Sequence, residues 1–193
     1  MPTQLMSREQ VAARYGSIMT FLPAADNHPL AAGMPAASIT DDTEQALLTA
    51  RLIIEGRGHV EPATFARELV AWEDGMRAKG SLDLLGPSTK RAVDAVVAGE
   101  SLEEAGRYGT TNGAAMRVTP VGLARSTRDL PALVDLVVEV SLVSHNTGIA
   151  LAGAAAVAAA VSAGIDGVDP IPVAIEAAEL AATRGHWVAG GDV

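Results

Sequence analysis

The chain has 193 residues, 49% of them hydrophobic, 19% charged and 3% aromatic, the make-up of an ordinary soluble globular domain. Its 14 Lys and Arg against 23 Asp and Glu leave a formal net charge of −9, the wrong sign for condensing onto duplex nucleic acid or an anionic membrane. No cysteine is present, which excludes a disulfide scaffold, a zinc-thiolate site, an iron-sulfur centre and a cysteine nucleophile, and leaves oxygen ligands and histidines for any metal chemistry.

The opening segment MPTQLMSREQ has neither the basic region nor the apolar run of a secretory signal, so a cytoplasmic protein is expected. Ser7 is placed to cap a short helix through Tyr15, closed by Gly16. Residues 17–38, with Pro23, Pro29, Gly33 and Pro35, read as a long irregular loop, of a length that in compact domains is functional or disordered. A helix is expected over Asp41 to Glu55, with Ala46, Leu47, Ala50, Ile53 and Ile54 on one face and Gly56 at its end. Pro62 opens another, running to Lys79 and burying Phe65, Leu69 and Trp72. From residue 81 a loop leads to Ser88 or Thr89 as the cap of a helix ending at Ala98, and Ser101 with Glu104 forms a capping-box pattern for a short helix after it. A glycine-rich turn over Gly106 to Gly113 leads into a mixed apolar segment. Helices then follow over Pro131 to Leu142, Thr147 to Ser162 and Ile171 to Arg184.

Alternation of period two is hard to find, so the chain reads as a single all-α domain over residues 1–193, a compact bundle around a buried alanine-rich helix. The longest stretch free of Asp, Glu, Lys and Arg runs from Val140 to Ile165, enough residues to raise the question of a bilayer span. Its serines, His145, Asn146, Thr147, glycines and many alanines give little transfer energy, and no basic cluster flanks it. A close-packed central helix explains the stretch better, alanine being the best helix former and the one that lets neighbours approach.

Three segments carry polar groups with chemical potential. Ser38-Ile39-Thr40-Asp41-Asp42-Thr43-Glu44 sets two adjacent carboxylates and several hydroxyls at a helix entrance. Thr40 as N-cap, with acids complementing the macrodipole, accounts for them. So does a hard divalent cation such as Mg²⁺, which seeks oxygen ligands; successive helical residues point about 100° apart, so neighbouring carboxylates would face different ions. Gly109-Thr110-Thr111-Asn112-Gly113-Ala114-Ala115-Met116-Arg117 is a small-residue run suited to close approach of a ligand to the backbone, although turn chemistry alone also selects Asn-Gly. Val143-Ser144-His145-Asn146 places His145 just before the alanine-rich helix, as a ligand contact or as a satisfied core histidine.

Taken in order, Thr40-Asp41-Asp42-Thr43, then Asn112-Gly113-Ala114-Ala115-Met116-Arg117 with Pro120 and Gly122-Leu123-Ala124, then Ser144-His145 ahead of Gly153-Ala154-Ala155-Ala156, resemble the ADP-ribosylglycohydrolase family, of the dinitrogenase reductase-activating glycohydrolase type. The similarity extends from about Met6 to about Trp187. It implies an all-α hydrolase with two Mg²⁺ or Mn²⁺ ions in a cleft, cleaving the glycosidic bond between ADP-ribose and a protein side chain or other acceptor. Matched position by position, Thr40, Asp41 and Asp42 correspond to metal ligands, with Asp41 and Asp42 the catalytic carboxylates. Asn112, Gly113 and Met116 correspond to the loop around the ribose and diphosphate, and His145 to a ligand-contacting histidine. Gly86-Pro87-Ser88-Thr89 falls where the family has another ligand loop, but Pro87 supplies neither a backbone donor nor an amide side chain.

Family members begin with a Gly-Asp-Ala-Leu-Gly-like helix and end with a Gly-Gly-Asp-Thr-Asp-Thr-like segment holding the remaining metal ligands. The resemblance therefore implies a domain incomplete at both ends, with Gly190-Gly191-Asp192 a chance echo. Two rival readings stay open: a catalytically impaired homologue that binds ADP-ribose or serves as a scaffold, and a helical interaction module whose motifs are caps and turns.

Overall fold

The computed structural model describes residues 2–78 and 85–186. Among them are nine α-helices, two single 3-10 turns and, in place of any sheet, one isolated bridge between Thr147 and His186. The all-α expectation holds. Lys79, the loop over 81–84 and the Gly190-Gly191-Asp192 segment lie outside the described residues.

Local chemistry sets most of the helix ends. Helix α1 (Arg8–Tyr15) starts at Ser7, whose hydroxyl accepts from Gln10 N while the Gln10 side chain accepts from Ser7 N, a complete capping box. The following segment over 17–38 is irregular, as expected, and His28 pins it: Nδ1 accepts from the amides of Leu30 and Ala31, and Nε2 lies 3.0 Å from Gln4 O. Helix α3 (Pro62–Ala78) buries Phe65, Ala66, Leu69 and Met76. Trp72 is only half-buried, its Nε1 donating to Glu44 Oε2 at 3.3 Å. Helix α4 (Pro87–Val97) is capped by Gly86 with Pro87 as its first residue. Ser88 and Thr89 are thus not caps but buried members of the first turn, because proline at the first helical position moves the cap to Gly86, two residues before Ser88. Glu73 of α3, almost fully buried, ties the two helices together through Lys90 Nζ at 3.1 Å. The short α5 (Leu102–Ala105) has Ser101 as its cap, accepting from Glu104 N.

Helix α2 (Asp41–Glu55) occupies the expected span but presents a different face. Gln45, Leu48, Thr49, Leu52 and Ile53 are inward, whereas Leu47 is 61% and Ile54 77% exposed. Residues 47 and 54, seven apart, share one side of the helix, and 45, 48 and 52 share another. What chooses between these stripes is the partner of Gln45, a fully buried arginine described below.

Helices α7 (Leu130–His145) and α8 (Gly148–Asp166) form the middle of the molecule. Asp129 caps α7 through Ala132 N, so the helix starts at Leu130, one residue before the expected Pro131, and ends at His145, three past the expected Leu142; Thr147 caps α8 through Ala150 N. Helix α8 ends at Gly167 in the left-handed region, at φ 69°, a conformation that favours glycine. Helix α8 is long and apolar enough by composition to cross a membrane. Its small residues are instead spent on packing: Ala150, Ala154, Ala155, Ala158, Ala159 and Ala163 are buried where α6 (Thr119–Ala124), α7 and α9 (Pro170–Ala182) converge on it. One edge, with Ile149, Gly153, Val157 and Ile165, is open to solvent. Gly153 meets nothing within 4 Å of where a Cβ would sit, so Gly153→Ala should raise stability by about 0.4–1 kcal/mol by stiffening the unfolded chain, visible as a higher thermal midpoint.

Candidate functional site

The site begins at the N-terminal end of α2. Thr40 stands at the cap position, yet its hydroxyl makes no capping bond; Oγ1 donates to Asp42 Oδ2 at 3.0 Å. Asp42 is exposed, and Thr40 and Asp41 are half-buried. The first helical turn therefore gathers two carboxylates and a hydroxyl whose oxygen is left free to accept. That donor set suits a hard divalent cation that keeps part of its water shell, the usual state of Mg²⁺ on one or two carboxylates. Among the described residues no three His, Asp or Glu side chains come together as a fuller metal cage.

The second half of the site is the segment from Gly106 to Arg117 wrapped on the α7–α8 junction. Asn146 N donates to Gly106 O at 2.9 Å, Thr147 Oγ1 to Gly109 O at 2.6 Å, and Asn146 Nδ2 to Glu103 O at 3.2 Å. Approach is so close that a Cβ on Gly109 would lie 2.7 Å from His145 Cα, which is why this position is glycine. On the far side of the junction the chain returns after α9, where His186 N donates to Asn146 O and Gly148 N to His186 O. Arg91 Nη2 holds Tyr108 O at 2.7 Å.

His145 ends α7 fully buried, with Nε2 2.9 Å from Thr111 Oγ1 and Nδ1 2.8 Å from Ser144 Oγ. Gly113 lies against the ring: a Cβ there would sit 2.6 Å from Cε1 and 3.4 Å from Thr89 Oγ1 of α4. Asn112 and Thr111 are exposed and Met116 is half-buried. So the structure brings His145, Gly113 and Asn112 together, as the sequence order of the motifs suggested. Both ring nitrogens of His145 are engaged inside the protein, and the polar group presented outward beside it is the Thr111 hydroxyl.

Arg117, last residue of the 3-10 turn Ala115–Arg117, joins the two halves. It is wholly buried, with Nη1 donating to Gln45 Oε1 at 3.1 Å, Nη2 donating to Ser144 Oγ, and its guanidinium 5.0 Å from the centre of the Phe65 ring. Gln45 lies one turn below Asp41 on α2. No direct hydrogen bond joins Thr40 or Asp42 to His145 or Asn112 among the described residues; the link runs through Gln45, Arg117 and Ser144. Sequence reasoning named Thr111, Arg117 and Ser144 only as members of the motifs, with no role of their own, and did not single out Gln45. The available signal was a lone arginine in the apolar run from Ala114 to Ala124.

Burial lowers Arg117 to about 9, which leaves it cationic at neutral pH. Burial, and then the charges of Arg117 and Arg91, push His145 from 6.5 to about 3, so its ring is neutral. Unfolding restores the ordinary value. The unfolded chain therefore binds a proton that the native chain refuses, and stability should fall as pH drops below about 6.5, by up to about 1.4 kcal/mol per pH unit. Denaturant titrations of wild type and His145→Gln between pH 7 and 5 check this, the stability gap narrowing as the buffer becomes more acidic.

The model of the ADP-ribosylglycohydrolase family matches residues 1–191. Among curated proteins, the uncharacterized protein YegU of Escherichia coli (strain K12) is 36% identical over 167 residues, covering 86% of this chain and 50% of the relative. An uncharacterized protein of Archaeoglobus fulgidus is 33% identical over 168 residues, again covering 86% of this chain and 50% of its own length. The chain thus spans about half the length of the curated relatives it matches. With the family model matched across nearly the whole sequence, and with a helical architecture among the described residues as in that all-α family, this chain belongs to the ADP-ribosylglycohydrolase family.

Proposed function

We infer that the chain carries the metal-gripping and ligand-gripping core of a hydrolase that frees ADP-ribose from a modified protein side chain or another acceptor by metal-assisted cleavage of the glycosidic bond. The observation that carries this reading is the contact of Gly113 with the His145 ring, tied through Arg117 to the α2 turn with Asp41 and Asp42. Motifs some seventy residues apart in sequence serve one place in the fold. In this reading Thr40, Asp41 and Asp42 hold Mg²⁺ or Mn²⁺. When bound, such an ion acidifies a coordinated water and offsets the charge of the diphosphate, which a chain of net charge −9 would otherwise repel. Gly113, lacking a side chain, seats the loop directly on the His145 ring, and the segment from Asn112 to Met116 would close on the ribose and diphosphate. His145, neutral at working pH, supports the Thr111 hydroxyl from behind and offers no proton to the leaving group.

A second reading, an ADP-ribose binder with little or no turnover, is favoured by the two-carboxylate donor set at α2, since a hard cation wants six or more oxygens. Calorimetry with ADP-ribose, with and without Mn²⁺ or Mg²⁺, and a release assay on an ADP-ribosyl-arginine protein test both. ADP-ribose binding strengthened by the divalent ion, with slow or no release, is the expected result. Failure to bind ADP-ribose under either condition would remove the functional reading, and robust metal-dependent release would remove the binder.

A further inference from the structure

We propose that Arg117, acting through Ser144, locks the His145 ring in the tautomer that carries its proton on Nε2 and thereby positions the loop over 111–113. It rests, for its bearing on ligand binding, on the family reading above. Arg117 Nη2 can only donate, so Ser144 Oγ accepts from it. The serine's own hydrogen is then directed at its other neighbour, His145 Nδ1, 2.8 Å away. With Nδ1 accepting, the ring proton stands on Nε2 and is donated to Thr111 Oγ1 at 2.9 Å. Gln45 completes the device by holding the other arm of the guanidinium at 3.1 Å, so the fork cannot turn without breaking a bond to α2. Gly113, in van der Waals contact with the ring edge, inherits the orientation. Ser144 is 1% exposed and Arg117 and His145 are fully buried, so none of the three is a nucleophile or a surface contact. Their arrangement is that of second partners orienting a group that faces the ligand, as hydrogen-bonded carboxylates and carbonyls orient metal-bound histidines elsewhere. Arg117 and Ser144 are accordingly positioning residues.

The test uses chain labelled with ¹⁵N-histidine and long-range ¹H–¹⁵N correlation spectra, backbone order parameters for Thr111 to Gly113, and calorimetric titration with ADP-ribose. Wild type should show Nε2 protonated and Nδ1 bare from pH 5 to 8. Ser144→Ala should give a mixture of both tautomers, order parameters at 111–113 falling from about 0.85 toward 0.6, and ADP-ribose affinity lower by about tenfold, with Mn²⁺ affinity changed less than twofold. Arg117→Lys, which keeps the charge but cannot span Gln45 and Ser144 together, should move the tautomer and the loop in the same direction, and it decides the question if the alanine variant does not fold. A wild-type ring protonated on Nδ1, or variants whose tautomer and loop order match wild type, would overturn the proposal. Because tautomer and loop order are read without ligand, a wild type that fails to bind ADP-ribose sinks the functional reading while leaving the spectra to judge the strut. Equal ADP-ribose affinity in wild type and Ser144→Ala would overturn its bearing on the ligand.

Discussion

Replacing Asp41 and Asp42 together by alanine should abolish divalent-ion binding, and with it any ADP-ribose release, while the fold survives. Glu44, the third acidic residue of the turn, is turned to another task, accepting from Trp72 Nε1 of α3. Against the α2 dipole each carboxylate is worth about 0.3–1 kcal/mol, and Asp42 also accepts from Thr40 Oγ1, a bond worth about 0.5–1.5 kcal/mol, so the double variant should lose about 1–3 kcal/mol of stability. Removing both anionic oxygens from a hard-cation site leaves Thr40 alone, which is no ligand set for Mg²⁺ or Mn²⁺. Calorimetry with Mn²⁺ alongside denaturant unfolding checks both halves. Persistent Mn²⁺ binding of unchanged affinity would place the metal somewhere other than the α2 turn.

Enlarging Ala158 to leucine should be the most damaging single change in the α8 packing. Ala158 is fully buried on the side of α8 where α6 crosses, and the backbones there come so close that a Cβ on Gly122 would lie 2.9 Å from Val161 Cβ. Three extra carbons have nowhere to go without pushing α6 away and, with it, the 3-10 turn that carries Arg117. Overpacking of this kind costs about 1–3 kcal/mol, occasionally more, and at this chain length each kcal/mol moves the thermal midpoint by about 2–4 °C. A fall of roughly 5–10 °C is expected. Gly153→Ala, five residues earlier on the same helix and on its open edge, should shift the midpoint the other way, so the pair separates helix propensity from packing.

How far these features were readable in advance differs element by element. The starts of α1, α5 and α8 follow from their own residues, Ser7 with Gln10, Ser101 with Glu104, and Thr147 with Ala150 satisfying orphan backbone groups locally, whereas α8 runs to Asp166, four residues past the expected Ser162, before Gly167 ends it. The α4 start was misread because Ser88 and Thr89 look like caps in isolation, whereas Pro87 already fixes the first helical residue. For α2 the local signal was ambiguous in kind. Two apolar stripes compete along its length, and the one chosen contains a glutamine because that glutamine meets a buried guanidinium 72 positions further on.

The same division runs through the site. Composition, the absence of period-two alternation and the order of three motifs determined the all-α class and the family, and singled out Thr40, Asp41, Asp42, Asn112, Gly113, Met116 and His145 as candidates, since these readings depend on residue type and near neighbours. Only the tertiary structure decided that Thr40 leaves its cap bond unmade and turns to Asp42, that His145 is sealed behind Thr111, and that Gln45, Arg117 and Ser144 bridge the two halves. The reason is physical: a capping bond closes within four residues and is encoded where it forms. A buried cation's partners come instead from three distant elements, and their identity exists only once the apolar helices have packed and left the arginine no water to turn to.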